Sequence, residues 1–260
     1  MSVIGKDIRA TLGTREVLRG IDVEARAGEV TAIIGPNGSG KTTLLRCLTG
    51  ELACHGTVTL DGEDIHAMPA HALAARRAVL EQATPLAFPF TVAEVVRLGH
   101  RAGAEATDPG VPRAALAAVG LQAKAGRFFQ ELSGGERQRV QLARVLAQVW
   151  SPVLDRRSRW LFLDEPVASL DIAHQLEVMH VSRGFADAGG GVVTVMHDLN
   201  LTAMGADRVI LVSEGRILKS GAPDAVLTDT TLSAAYACGI RVNTAPVMPF
   251  ILPQAARPVG

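Results

Sequence analysis

One eight-residue stretch constrains this chain most: Gly35, Pro36, Asn37, Gly38, Ser39, Gly40, Lys41 and Thr42 read G-x-x-x-x-G-K-T. An apolar run at 30–34 precedes it and a helix-like run at 43–48 follows. Strand, glycine-rich loop and helix in that order form the context in which this pattern holds phosphate. The glycines let the backbone curl so that successive N–H groups point inward at phosphate oxygens. The helix behind the loop adds its positive N-terminal end. Lys41 is placed to reach the β- and γ-phosphates, and Thr42 to offer a hydroxyl to Mg2+.

Composition narrows the alternatives. The 260 residues fit one large domain or two small ones. Lysine plus arginine and aspartate plus glutamate both number 26, so net charge makes no case for nucleic acid or an anionic membrane. Sparse aromatics argue against base-stacking platforms. Cys47, Cys54 and Cys238 show no C-x-x-C spacing and read as reduced thiols. The histidines show no metal-ligand spacing. No basic segment with an apolar core opens the chain, so no secretory signal is expected. No run approaches the ~20 apolar residues that cross a bilayer.

Along the chain, residues 3–60 alternate short apolar runs with turns and read mostly as strands around the phosphate loop and its helix. Gly50 stands where a helix C-cap glycine is expected, and Asp61-Gly62 reads as a tight turn after a strand. Residues 66–150 read as mainly helical. Thr91 and Glu94 have capping-box spacing, with Phe90 and Val95 as its hydrophobic staple. Residues 102–112 read as a loop, and the charged stretch 151–159 as a solvated connection. Apolar runs at 160–163, 192–196 and 209–212, separated by helical lengths, read as buried parallel strands. Four prolines after 241 suggest an extended tail.

Two further motifs carry chemistry. The run Leu161-Phe162-Leu163 ends in Asp164-Glu165. Ligands of open α/β sheets sit beyond strand C-termini, so Asp164 is a candidate Mg2+ ligand and Glu165 a candidate base for the attacking water. Leu132-Ser133-Gly134-Gly135-Glu136-Arg137-Gln138 places Ser133 and Glu136 in a second capping box at the head of a long helix. Its two glycines allow close backbone approach to an anion.

With that last motif the chain resembles the ATP-binding-cassette family, whose signature is L-S-G-G-Q/E. The likeness spans about residues 3–227. It implies an α/β P-loop NTPase fold with a mainly parallel core sheet, an N-terminal antiparallel β part and a helical signature subdomain. One ATPase domain at 1–240 is expected, with the helical part, about 83–150, inserted in a RecA-like core and a tail at 241–260. The resemblance implies that ATP and Mg2+ are bound. It assigns nucleotide contacts to Gly35, Pro36, Asn37, Gly38, Ser39, Gly40, Lys41, Thr42, Thr43 and Leu12. It gives Thr42, Asp164 and Gln82 to the metal, and Glu165, His197 and Gln82 to catalysis. Ser133, Gly134 and Gly135 would meet the γ-phosphate held by a second copy, and Asp171 would lie in the loop crossing that interface. A head-to-tail homodimer with two ATP molecules follows.

The stretch after Gln82, through Phe88, Phe90 and Thr91 to Gly99, resembles ATPases of importers for siderophores, cobalamin and haem. The segments Asp171-Ile172-Ala173-His174-Gln175 and His197-Asp198-Leu199-Asn200-Leu201 fit the same group. The insertion before Trp160 and the ending Phe250-Ile251-Leu252-Pro253-Gln254 look most like haem-importer ATPases. Such a subunit sits peripherally on the cytoplasmic face of the inner membrane. It docks on a permease dimer, with Phe88 and Phe90 as candidate anchors here, and works indirectly with a periplasmic binding protein. A siderophore or cobalamin importer, or a soluble cassette ATPase of the iron–sulfur assembly type, stands as the alternative.

One position departs from the family pattern. The family stacks adenine on an aromatic residue some two dozen positions before the phosphate loop. Leu12 takes that place here, and no aromatic residue precedes Phe88. An apolar leucine or the face of Arg15 would replace the stack. Competition binding should therefore show GTP displacing ATP at comparable concentrations; a strong adenine preference would refute this.

Overall fold

The computed structural model describes residues 1–82, 88–245 and Ile251. Residues 83–87 of the stretch after Gln82 lie outside the described residues, as do Phe250 and 252–254 of the ending. Strands β1 (Ser2–Leu12) and β2 (Arg15–Arg26) form a long antiparallel hairpin. The buried strand β3 (Val30–Ile34) runs through the phosphate loop into α1 (Lys41–Thr49). Next come β4 (His55–Leu60), β5 (Glu63–Asp64), α2 (Ala70–Arg76) and β6 (Arg77–Leu80). A helical stretch holds α3 (Val92–Ala102), α4 (Val111–Ala118) and α5 (Gly134–Gln148). A small hairpin of β7 (Val153–Leu154) and β8 (Arg157–Ser158) leads into β9 (Trp160–Asp164). The remainder is α6 (Ile172–Asp187), β10 (Gly191–Val195), α7 (Leu199–Gly205), β11 (Arg208–Ser213), β12 (Arg216–Gly221), α8 (Pro223–Val226) and α9 (Asp229–Tyr236).

The central sheet has the order β12-β11-β3-β10-β9-β6, parallel except for β12. Every residue of β3, β9 and β10 is buried, as strands covered on both faces require. Alternate residues serve two cores. Ile33, Phe162 and Val193 face α1 and the antiparallel sheet β2-β1-β4-β5. Ala32, Ile34, Leu161, Leu163 and Val192 face a larger core shared with α3, α4 and α5. The expected α/β fold, mostly parallel with an N-terminal antiparallel part, is therefore present.

Local signals hold where they were strongest. Thr91 and Ser133 both make the reciprocal capping boxes their spacing predicts. Gly50 caps α1 in the left-handed conformation. Two readings need correction. The segment 66–150 contains a strand, β6, whose four residues are too few to show a period yet pair in parallel with β9. The stretch 151–159 turns back on itself as β7–β8, with Asp155 and Arg156 both at positive φ.

Arg159 in that stretch is only 2% exposed. Its Nη1 lies 2.6 Å from Glu105 Oε2, which also accepts the Ser151 N–H at 3.0 Å. His100 Nε2 meets the Glu105 carbonyl at 2.7 Å. The loop after α3 is thus tied to the entry of β9. Burial pushes the Glu105 carboxyl up, but bonds from Ser151 and Arg159 outweigh it and hold the group below the ordinary carboxylate range. A depressed carboxylate contributes stability above its unfolded pKa and loses it as pH falls through the folded value. Glu105→Ala strands a buried guanidinium and should cost about 3 kcal/mol at neutral pH. Thermal melts should show the gap to wild type closing below about pH 4. An equal gap at every pH would exclude the ion pair as its source.

Candidate functional site

Because β3, β6, β9 and β10 run in parallel as neighbours, their C-terminal ends meet on one edge. There Ile33 lies beside Val195, Val195 beside Asp164, and Leu163 beside Leu80. The phosphate loop, Gln82, Asp164–Glu165 and His197 follow directly from these ends.

The loop is built from backbone geometry that side chains would spoil. Gly35 has φ 145°, and a Cβ there would stand 2.0 Å from the Val212 carbonyl oxygen. Gly38, at φ 74°, faces open space. The Ser39 carbonyl accepts from Gly215 N at 3.0 Å, anchoring the loop to the β11–β12 turn. Lys41 is buried, and its Nζ donates to the Gly35 and Pro36 carbonyls at 2.9 and 3.0 Å. Burial lowers its pKa, while the charges of Glu165 and Asp164 oppose that shift. The first-turn N–H groups of α1 have no partner within their own helix and point at the same space. Ser39 Oγ is buried without a partner among the described residues. These orphaned donors suit a polyphosphate.

Across the loop stand the acids. Thr42 Oγ1 donates to Asp164 Oδ1 at 3.2 Å. Asp164 is 5% exposed; burial pushes its carboxyl up, and the Glu165 charge adds to this. A hydroxyl and a carboxylate side by side form a hard oxygen pair of the kind Mg2+ takes. Glu165 adopts φ 52°, a left-handed conformation that costs a non-glycine residue about 1–3 kcal/mol and persists only when held. Its Oε2 accepts from Gln82 Nε2 at 2.9 Å, its Oε1 lies 2.6 Å from His197 Nε2, and its carbonyl accepts from Gln138 Nε2 at 3.0 Å.

The tip of the β1–β2 hairpin roofs the site. Leu12, Arg15 and Val17 join Asn37, Gly38, Gly40, Lys41, Thr42, Thr43, Gln82, Glu165 and His197 around a cavity of about 660 Å3. A larger cleft of about 950 Å3 between α7, α8 and residues 240–245 contains neither the loop nor the paired acids.

The expected site residues therefore fall into two groups. Leu12, the loop from Gly35 to Thr43, Gln82, Asp164, Glu165 and His197 converge. Ser133, Gly134, Gly135 and Asp171 do not line the cavity. Ser133 caps α5, and Asp171 caps α6 by accepting from His174 N at 3.0 Å. The start of α5 packs against the segment just before Asp171, since a Cβ on Gly135 would touch Leu170 Cδ2 at 3.1 Å. The sequence gives no sign of Val17, and it shows Gln138 only as the end of the signature stretch, without a role. Val17 is one apolar residue of a strand, and the partner of Gln138 is 27 positions away.

A phosphate loop facing paired strand-end acids, with a capped glycine pair on a second surface, defines an ATP-binding cassette. Residues 18–168 match the ABC transporter family, and the chain belongs to it. It is 59% identical to the hemin import ATP-binding protein HmuV of Jannaschia sp. (strain CCS1), covering 98% of this chain and 95% of that one. It is 54% identical to the protein of the same name from Rhizobium meliloti (strain 1021), over 96% and 97%. A nucleotide-free ATP-binding cassette from an ABC transporter shares the fold, with TM-score 0.77, 22% identity and coverage of 91% and 99%.

Gly35→Ala should lower the melting temperature, because its methyl drives into the Val212 backbone. Gly38→Ala should cost only about 1 kcal/mol of stability, yet weaken nucleotide binding, because its methyl stands in the cavity. Melting curves paired with fluorescent-nucleotide titrations distinguish the two; equal effects on stability would contradict this geometry.

Proposed function

We propose that this chain is the ATP-hydrolysing, energy-coupling subunit of a haem importer, acting as a head-to-tail homodimer beneath a membrane permease. The placement of Glu165 carries the hydrolytic reading: its carboxylate faces the phosphate loop and is gripped from two neighbouring strand ends. Haem as cargo is supported by the hemin import proteins to which the chain is similar.

The residues then take these roles. The backbone from Gly35 to Thr43 cradles the phosphates, with Lys41 on the β- and γ-phosphates and Leu12 under the adenine. Thr42, Asp164 and Gln82 would hold Mg2+, which would neutralise charge on the phosphates. Glu165 takes a proton from water as its oxygen attacks the γ-phosphorus; the bond to the β-phosphate breaks, and ADP and phosphate leave. His197 fixes the Glu165 carboxylate. The far side of the γ-phosphate needs a donor that the described residues lining this cavity do not supply. Ser133, Gly134 and Gly135 of a second copy supply it, and Asp171 crosses the interface. ATP closes the dimer and hydrolysis reopens it.

The domain organisation follows. Residues 1–240 form one ATPase domain with the helical part, about 83–150, inserted. Phe88, 69% exposed, and Phe90 meet edge to face at 6.2 Å between ring centres, on the side where the permease would dock. No helix among the described residues is long and apolar enough to cross a membrane, and the subunit sits peripherally on the cytoplasmic face.

Glu165→Gln should reduce turnover by at least about 100-fold while trapping an ATP-bound dimer on size exclusion. From host membranes, the tagged chain should bring down a many-helix permease in stoichiometric amount. Undiminished hydrolysis by the mutant would remove Glu165 from its role. Recovery with soluble partners only would overturn the transport reading.

A further inference from the structure

We infer that Gln138 is a positioning residue for hydrolysis: its side-chain amide ties helix α5 to the main chain of Glu165 and so fixes where that carboxylate stands. The inference rests on the role proposed above for Glu165.

The Glu165 carbonyl accepts two bonds, from Gln138 Nε2 at 3.0 Å and from the Ala168 N–H at 3.2 Å. Both of its lone pairs are thereby used. The Glu165 N–H donates to the Val195 carbonyl at 3.2 Å. Peptide groups on both sides of a left-handed residue are pinned, and its Cβ can point only one way. Without the Gln138 donor, the peptide after Glu165 is held by the Ala168 N–H alone. The carboxylate would then swing away from Gln82 and His197.

Gln138 also sits where it can connect two sites. It follows Gly135 by three positions on α5, so both face the segment after β9. Gly135 packs against Leu170, and Gln138 bonds to Glu165. The same helix end carries Ser133 and Gly134, which in the proposed dimer meet the other copy's ATP. A rigid helix held at both places makes the base of one site and the γ-phosphate donor of the other move as one piece.

The test is single-turnover hydrolysis with the full-length chain in saturating excess over limiting ATP and with saturating Mg2+, which reports chemistry rather than product release. Gln138→Leu removes the donor and keeps the bulk; Gln138→Lys restores a donor. Gln138→Leu should slow the step by about tenfold while ATP affinity stays within about twofold and the melting temperature is unchanged. Gln138→Lys should recover most of the rate. A wild-type rate for Gln138→Leu overturns the inference. A loss matched by an equal loss of ATP affinity, or one that lysine does not recover, also overturns it by assigning Gln138 to packing. Glu165→Gln is run alongside. If that variant still hydrolyses ATP, the reading of Glu165 fails. If it is silent while Gln138→Leu runs at full rate, only the role of Gln138 fails.

Discussion

Parallel pairing is the constraint on which the rest of this molecule depends. Four neighbouring strands, β3, β10, β9 and β6, all point their C-terminal ends the same way. Residues separated by over a hundred positions are thereby delivered to one edge: Thr42 reaches Asp164. Helices packed on one face and the antiparallel sheet with α1 on the other bury both faces of the sheet, leaving that edge as the place where polar groups can converge. The antiparallel β1–β2 hairpin adds only the roof over that edge.

What converges there is strained as well as polar. Gly35 occupies backbone space that no side chain could share, and Glu165 sits in a conformation that non-glycine residues avoid. Lys41 and Asp164 are buried, each pushed toward its neutral form by desolvation. Such departures from local preference concentrate where function outweighs stability. The two core clusters on either face of the sheet hold the assembly in place.

The parts of the site legible in the sequence are those whose physics is local. The phosphate loop and the two capping boxes sit within a few residues of what they bond, and spacing exposes them; the acids ending β9 are legible as the polar end of an apolar run, although their partners lie far along the chain. Gln82 and His197 were found only through likeness to a family, because their partner Glu165 lies 83 and 32 positions away. Arg159 was misread for the same reason. In sequence it belongs to a charged run, and only folding brings Glu105, 54 positions off, against it. Strand β6 escaped notice because four residues cannot display a period, although it delivers Gln82 to the acids.

The signature end of α5 and the cavity occupy separate surfaces of one chain, and a lone copy cannot bring them together. In the proposed dimer, the chemistry is therefore second order in protein when the chain is free. It becomes first order once two copies are held side by side by a shared membrane partner. In that arrangement hydrolysis would wait on assembly, and the switch would be nothing more than proximity.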